Sequence, residues 1–155
     1  MQDLDQANQT DPGALLQGLI GVAHEVDERL NTALERNGLS VPKLTVLQIL
    51  VQAGEPIPLG VVSERFGCVR SNITQLVDRL EADHLVRRVP DPVDRRSILA
   101  AITDEGRQRL IAGQAEVDGV TNAILKNLTS VDRGQLDRLL ALVRRPSDHS
   151  TRPQI

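Results

Sequence analysis

The polar residues between positions 70 and 79 have the most specific chemistry in this chain of 155 residues. From Ile73 onwards, apolar residues recur at i, i+3, i+4 and i+7, which predicts an amphipathic helix over about 70–83. The polar side chains that fall opposite this apolar face are Arg70, Ser71, Asn72, Gln75 and Arg79. Such side chains hydrogen-bond phosphates and base edges, since a glutamine amide suits adenine and an arginine suits guanine or phosphate. The pattern therefore predicts a helix that contacts duplex DNA.

A basic hairpin is predicted directly after this helix. Residues 85–89 and 97–102 are typical of two short strands, and the connection 90–96 contains Asp94, Arg95 and Arg96. Before the helix, residues 59–66 predict a shorter helix that Gly67 would end in a left-handed turn conformation. A helix-turn-helix followed by a basic hairpin is an arrangement that holds duplex DNA.

The flanking segments predict further helices around this unit. A helix over 13–37 ends at Asn37-Gly38, and Ser40 is expected to cap the next helix, with Pro42 tolerated in its first turn. Thr103 and Thr129 are expected to cap two C-terminal helices.

Taken together, these elements predict a mainly α chain with a small β wing. The predicted organisation is a flexible arm at 1–12, helical dimerisation regions at 13–39 and 103–145, a winged helix-turn-helix DNA-binding region at 40–102, and a flexible tail at 146–155.

The terminal helices contain more apolar residues than the small central unit can cover. Apolar residues recur at helical spacing from Leu15 to Leu34, and again from Leu110 to Val143. These helices could pack on each other within one monomer, or interlock with those of a second copy. We favour the second arrangement, because a two-fold homodimer would bring two DNA-contacting helices to successive major grooves.

The net charge of −3 is unusual for a DNA-binding protein, but the charge is unevenly distributed. Residues 1–39 contain seven acidic residues and two arginines, whereas residues 61–100 contain seven arginines and six acidic residues. Electrostatic attraction depends on the local face, so the overall sign does not exclude DNA. Phe66 is the only aromatic residue, which argues against the stacking platforms that bind single-stranded nucleic acid.

The residue spacing gives no support to catalysis, and we expect a protein that is not an enzyme and has no cofactor. The three histidines lack metal-ligand spacing, so no metal site is expected.

Because Cys68 is the only cysteine of the chain, an intramolecular disulfide cannot form. It lies at a predicted helix N-terminus close to Arg70, a setting that lowers a thiol pKa, but a buried cysteine also behaves as a small hydrophobe, and we favour this core role. No apolar run approaches the roughly 18 residues of a membrane span, and no secretory signal is visible, so we expect a cytoplasmic protein.

Over roughly residues 14–143 the chain resembles the MarR family of winged helix-turn-helix transcriptional regulators. Residues 59–67 are similar to the family's third helix and turn, and residues 73–81 to its recognition helix. The most specific match is the hairpin Asp91-Pro92-Val93-Asp94-Arg95-Arg96, followed by Ile102-Thr103-Asp104-Glu105-Gly106. It matches the D-x-R wing signature of the family and the threonine-to-glycine start of its next helix.

The resemblance implies a homodimeric, ligand-responsive repressor that binds double-stranded DNA at a pseudo-palindromic operator. Arg96 matches the wing arginine that the family inserts into the minor groove, and Asp94 could brace its guanidinium. The full predicted set of DNA contacts is Arg70, Ser71, Asn72, Thr74, Gln75, Arg79, Arg95 and Arg96. One residue departs from the family pattern, since Val69 stands where members usually have a helix-capping Ser or Asp.

Two alternative functions remain open. The chain could be a winged-helix module that docks a protein instead of DNA, although such a module has no need for Arg96 at the hairpin tip. It could also be a regulator that senses oxidation through Cys68. The scarcity of aromatic residues favours a small lipophilic effector in an aliphatic pocket over a flat effector held by stacking, and the sequence does not identify its binding residues.

Overall fold

The structure is a computed structural model that describes residues 11–94 and 97–144. Its described residues form two compact units, the first extending to Val120 and the second beginning at Thr121. The elements in chain order are α1 (Pro12–Glu35), α2 (Val41–Ala53), β1 (Ile57–Pro58), α3 (Leu59–Phe66), α4 (Arg70–Ala82), β2 (Val86–Pro90), β3 (Ile98–Ile102), α5 (Asp104–Leu125) and α6 (Ser130–Val143). The predicted mainly α fold with a small β wing is confirmed.

The core of the first unit is aliphatic and lies between α2, α3, α4 and the sheet. Val46 and Leu47 on α2, Val62 on α3 and Ile73 on α4 are fully buried. Val86 brings the sheet into the same cluster. Each such side chain stabilises the fold by about 1.5–3 kcal/mol relative to its exposed state. The helix-turn-helix therefore packs on a core whose fully buried side chains are aliphatic.

Two helix starts differ from the sequence predictions. The side chain of Asp11 caps α1 by accepting from the backbone N–H groups of Gly13 and Ala14, each at 3.2 Å, and Pro12 is the first helical residue. The predicted arm at 1–12 is therefore wrong at its last two residues, and residues 1–10 lie outside the described part. Ser40 occupies the N-cap position of α2 but makes no capping bond with its side chain. The N–H of Val41 instead donates to Oδ1 of Asn31 on α1, at 3.1 Å.

The sheet has three antiparallel strands in the order β1-β3-β2. Val86 pairs with Ile102 at one end of the β2–β3 hairpin and Pro90 pairs with Ile98 at the other. The connection between these strands is 91–97 and not the predicted 90–96, because Pro90 belongs to β2 and β3 begins at Ile98. The strand β1 was not predicted, since two residues, one of them a proline, give no alternation to detect.

The start of α5 is fixed tightly against the root of the wing. Oγ1 of Thr103 accepts from the N–H of Gly106 at 2.9 Å and donates to the carbonyl of His84 at 2.7 Å, which confirms the predicted cap. A Cβ on Gly106 would lie 2.1 Å from the carbonyl oxygen of Leu85, so only glycine fits here. The first turn of α5 is thus joined to the segment between α4 and β2.

The second unit contains the end of α5 and all of α6. Thr129 caps α6 in a reciprocal capping box, in which Thr129 Oγ1 accepts from the N–H of Asp132 and the Thr129 N–H donates to the Asp132 carboxylate. The helix ends at Val143, and its large apolar side chains are all exposed, Leu139 and Leu142 by half or more. No described helix is both long and apolar enough to cross a membrane.

Candidate nucleic-acid interface

The helix-turn-helix consists of α3, a short turn and α4. Gly67 ends α3 in the left-handed region, with φ at 77°. The side chain of Ser63 reaches across the turn, its Oγ donating to the carbonyl of Cys68 at 2.8 Å. On α4 the side chains of Ile73 and Val77 are fully buried, so the opposite face of the helix is directed toward solvent. The predicted bounds of both helices are confirmed to within one residue.

The predicted contacts on α4 form one exposed polar surface, with a single exception. The exposed residues are Arg70, Ser71, Asn72, Gln75 and Arg79. Thr74 is half-buried, and its Oγ1 donates to the carbonyl of Arg70 at 3.1 Å within the helix. The hydroxyl of Thr74 is therefore engaged with the backbone, while the other five side chains are available to a ligand.

No side chain caps the N-terminus of α4. Val69 is the N-cap residue, and the first-turn N–H groups lack the oxygen that a serine or aspartate would provide. Free N–H groups at a helix start attract phosphates, because their dipoles add to a partial positive charge. Among the described residues, no side chain accepts from the backbone N–H groups of Arg70 and Ser71 at this helix start, whereas the Asn72 N–H donates to the carbonyl of Val69 at 3.1 Å.

A cluster of ion pairs around the mostly buried side chain of Arg88 joins α4 to β2. The guanidinium of Arg88 on β2 donates to Asp78 Oδ1 and Glu81 Oε2 on α4, each at 2.5 Å. Burial lowers the pKa of Arg88, but the hydrogen bonds that its guanidinium donates to the two carboxylates, together with their negative charges, outweigh it, and the net pKa is raised. The sequence contained a signal for this cluster, namely two acids three residues apart on the helix, followed by an arginine in the strand.

The described part of the wing is ordered by Asp91. Its Oδ1 accepts from the N–H groups of Val93 at 2.8 Å and Asp94 at 3.3 Å, and the carbonyl of Asp94 accepts from the N–H of Ser97. Arg95 and Arg96 lie outside the described residues. Their predicted role at the wing tip, and the brace between Asp94 and Arg96, therefore remain predictions.

A cleft of about 300 Å³ opens along one side of α4. Its lining residues are Pro42, Phe66, Cys68, Asn72, Ile73, Gln75, Leu76 and Arg79. Three of these belong to the exposed polar surface of α4, so the cleft and that surface share a wall. Cys68 is half-buried against the core, and its Sγ lies 3.6 Å from the carbonyl of Val69.

Comparison with known proteins identifies this architecture. The sequence model of the MarR family matches residues 37–97. The transcriptional repressor IacR of Pseudomonas putida is 30% identical over 116 residues, which cover 75% of this chain and 69% of IacR. The chain belongs to the MarR family. This family consists of DNA-binding transcriptional regulators, and the resemblance found in the sequence is confirmed.

Other MarR-family relatives agree with this assignment. The regulator MhqR of Bacillus subtilis is 31% identical over 81 residues, and the matched part is 55% of its length. A MarR-family regulator from Rhodococcus sp. RHA1 superposes with a TM-score of 0.73 at 29% identity, covering 90% of this chain and 98% of its own. CouR from Rhodococcus jostii RHA1, solved bound to p-coumaroyl-CoA, has a TM-score of 0.68 at 32% identity, with 92% and 97% covered. The winged helix-turn-helix described above is thus the MarR fold.

Proposed function

We propose that this MarR-family protein is a homodimeric repressor that binds a pseudo-palindromic operator in double-stranded DNA and releases it on binding a small molecule. The observation that carries the proposal is the exposed polar surface of α4, held outward by a buried apolar face. Gln75 and Arg79 supply groups that distinguish bases, while Arg70, Ser71 and Asn72 lie where phosphates bind a helix start. Residues 40–102 would bind DNA, and 13–39 with 103–145 would form the dimer.

The DNA contacts can be separated by their effects on affinity and specificity. Operator sequences are first selected from a pool of random duplexes with the full chain. Gln75→Ala should reduce discrimination between selected and random duplexes, by about 1–3 kcal/mol at the base pair it reads. Arg70→Ala should weaken binding to all duplexes equally, since a phosphate contact contains no sequence information. A failure of the parent protein to enrich any duplex would contradict DNA binding and favour the protein-docking alternative.

The wing contribution is tested by salt dependence. If Arg96 inserts into the minor groove and contacts phosphates, Arg96→Ala should reduce the slope of log affinity against log salt concentration. Asp94→Ala should reduce affinity less, because it would only loosen the positioning of Arg96. Equal affinity of Arg96→Ala and the parent across the salt series would remove the wing from the proposal. The same experiment on Arg95→Ala separates the two arginines.

Dimerisation is supported by the apolar surface of α1. Leu15, Leu16, Ile20 and Val22 are each more than half exposed, at 54–61%. A concentration of large exposed aliphatic side chains on one helix marks an interaction surface. We infer that a second copy covers it, since two DNA-contacting helices are needed to read two half-sites. Leu16→Glu should yield a monomer in light scattering and lose operator affinity, whereas Glu28→Gln on the same helix should leave the dimer intact.

The ligand response is assigned to the cleft beside α4. Phe66, Ile73 and Leu76 give it an apolar lining that suits a lipophilic compound. The structural relative CouR is solved bound to p-coumaroyl-CoA, which supports a small-molecule response in this chain. Because Gln75 and Arg79 line both the cleft and the DNA-contacting surface, an occupant would compete directly with DNA. A compound that releases operator DNA from the parent but not from Leu76→Lys would support this assignment.

Oxidation through Cys68 is the competing mode of release. Titration with hydrogen peroxide distinguishes the two. Under the ligand proposal, the parent and Cys68→Ser should keep the same operator affinity after peroxide treatment. Loss of DNA binding in the parent alone would establish Cys68 as the sensor.

A further inference from the structure

A second cavity of about 140 Å³ opens at the base of the sheet. It lies between the C-terminal end of α2, the strands β2 and β3, and the first turn of α5. Leu50, Pro56 and Ile102 contribute apolar lining, and its charged side chains are Glu55, Arg87 and Arg107. No residue of α4 contributes to this cavity, so it is separate from the DNA-contacting surface.

The guanidinium groups of the two arginines at this cavity are not engaged in the polar contacts of the described fold. Both are exposed, and among the residues that the structure describes neither guanidinium makes a hydrogen bond or an ion pair. Arg88 and Arg109 behave differently, since Arg88 bonds two carboxylates and Arg109 donates to the carbonyl of Asn37 at 2.7 Å. Unlike Arg88 and Arg109, the two arginines of this cavity keep their guanidinium groups unpaired within residues 11–94 and 97–144.

The position of Arg107 is also unfavourable for stability. It lies in the first turn of α5, where the helix dipole disfavours a positive charge by roughly 0.3–1 kcal/mol. Glu105 in the same turn is paired with Arg109 instead. A cation placed against the dipole, beside a second unpaired cation, concentrates positive charge at one small cavity.

We propose that this cavity binds the phosphate group of a small phosphate monoester. Two planar guanidinium groups match the oxygens of a phosphate. Their positive charges attract a phosphate monoester, whose net charge near pH 7 is roughly −1.5 to −2 because its second pKa is about 6. The small volume admits a phosphate-sized group. Glu55 provides an acceptor for a ligand hydroxyl beside the phosphate group, and for the proton that inorganic phosphate retains near pH 7.

Glu55 gives the site a chemical preference that can be measured. Inorganic phosphate near pH 7 has a proton to donate to this carboxylate, whereas sulfate has none. Sulfate would therefore meet Glu55 as an unpaired like charge, which is unfavourable. The site should select phosphate over sulfate although both ions have similar size and charge.

The test is isothermal titration of the full chain with inorganic phosphate in a phosphate-free buffer at low salt. We expect one saturable site per chain, with sulfate binding at least about tenfold more weakly. Arg87→Gln and Arg107→Gln should each weaken phosphate binding about tenfold or more, while Arg107→Lys should retain most of it. The matched control is Arg65→Gln, an exposed arginine on α3 outside the cavity, which should bind phosphate as the parent does. Glu55→Gln should bring the phosphate and sulfate affinities together.

Several outcomes would overturn the proposal. These are the absence of saturable binding, equal affinity in Arg107→Gln and the parent, or an equal loss in Arg65→Gln, which would indicate a non-specific charge effect. Circular dichroism verifies that each variant keeps its helices, which we expect because neither arginine has a structural partner. If Arg107→Gln instead loses operator affinity with phosphate binding unchanged, the arginine contacts the DNA backbone and the cavity is not a phosphate site. The inference stands independently of the proposed repressor function.

Discussion

Arg88 and Glu81 are joined twice across the junction of α4 and β2. The backbone N–H of Arg88 donates to Glu81 Oε1 at 3.1 Å, and its guanidinium donates to Oε2 at 2.5 Å. One carboxylate therefore satisfies a strand N–H and pairs with a charge on the same residue. This doubled contact joins the second half of α4 directly to the first strand of the wing.

The first prediction concerns this junction. Arg88→Ala should lower the free energy of unfolding by roughly 1–2 kcal/mol, because it removes hydrogen bonds to two carboxylates at a partly buried position. Urea denaturation measures the change. The neighbouring exposed Arg87 makes no such bond, so Arg87→Ala should shift stability by less than about 0.5 kcal/mol. Equal losses in the two variants would show that the junction contributes nothing specific.

The missing cap of α4 can be restored. Val69→Ser should raise the free energy of unfolding by about 1 kcal/mol, since its hydroxyl would accept from a first-turn N–H. Thermal denaturation in the absence of DNA gives the measurement. Val93→Ser makes the same chemical change at a fully exposed loop position, 93% accessible, and should have no effect. A lower stability in Val69→Ser would mean that the valine side chain packs usefully where it is.

How far the sequence predicted this structure depends on the range of each interaction. The helix at 59–66, its Gly67 stop and the caps at Thr103 and Thr129 were predicted correctly, because each signal lies within a few neighbouring residues. The cap on α2 was wrong, because Asn31 acts from another helix ten residues away. No local pattern reports such a contact.

The functional surfaces divide in the same way. The polar face of α4 was predicted from helical periodicity, since a buried apolar face determines what points outward. Both cavities were missed, because they form where distant segments meet: Pro42 approaches α4, and Arg107 approaches β2. The engagement of Thr74 with its own helix backbone was also missed, although Thr commonly bonds the carbonyl four residues earlier.

A third prediction concerns His84, which follows α4 with a φ of 60°. This left-handed conformation costs a residue with a Cβ about 1 kcal/mol, and glycine adopts it freely. His84→Gly should therefore raise the free energy of unfolding by about 1 kcal/mol in chemical denaturation. The same substitution at His24, within α1, should lower it by about 0.3–0.5 kcal/mol, because glycine weakens a helix interior more than histidine does. Destabilisation by His84→Gly would contradict the strain argument.

The last prediction concerns pH. The pKa of Asp132 is held below its ordinary value of 3.8, chiefly because the Thr129 hydroxyl donates to its carboxylate and secondarily because the Thr129 backbone N–H does. Since the folded pKa is the lower one, the capping contribution is complete above pH 3.8 and is lost as the pH falls through the folded pKa. Titration of this carboxyl by NMR should show the pKa moving upward in Thr129→Ala. In Ser130→Ala, which leaves the capping box intact, it should not move.

Phe66 has a practical consequence for anyone who works with this protein. It is the only aromatic residue of the chain, and it lines the cleft beside α4. With neither tryptophan nor tyrosine, the polypeptide is almost transparent at 280 nm and has no intrinsic fluorescence in the usual window. A single Phe66→Trp substitution would therefore place one fluorophore, free of any background, in the cleft that borders the exposed polar surface of α4. Its emission would report occupation of either one in real time.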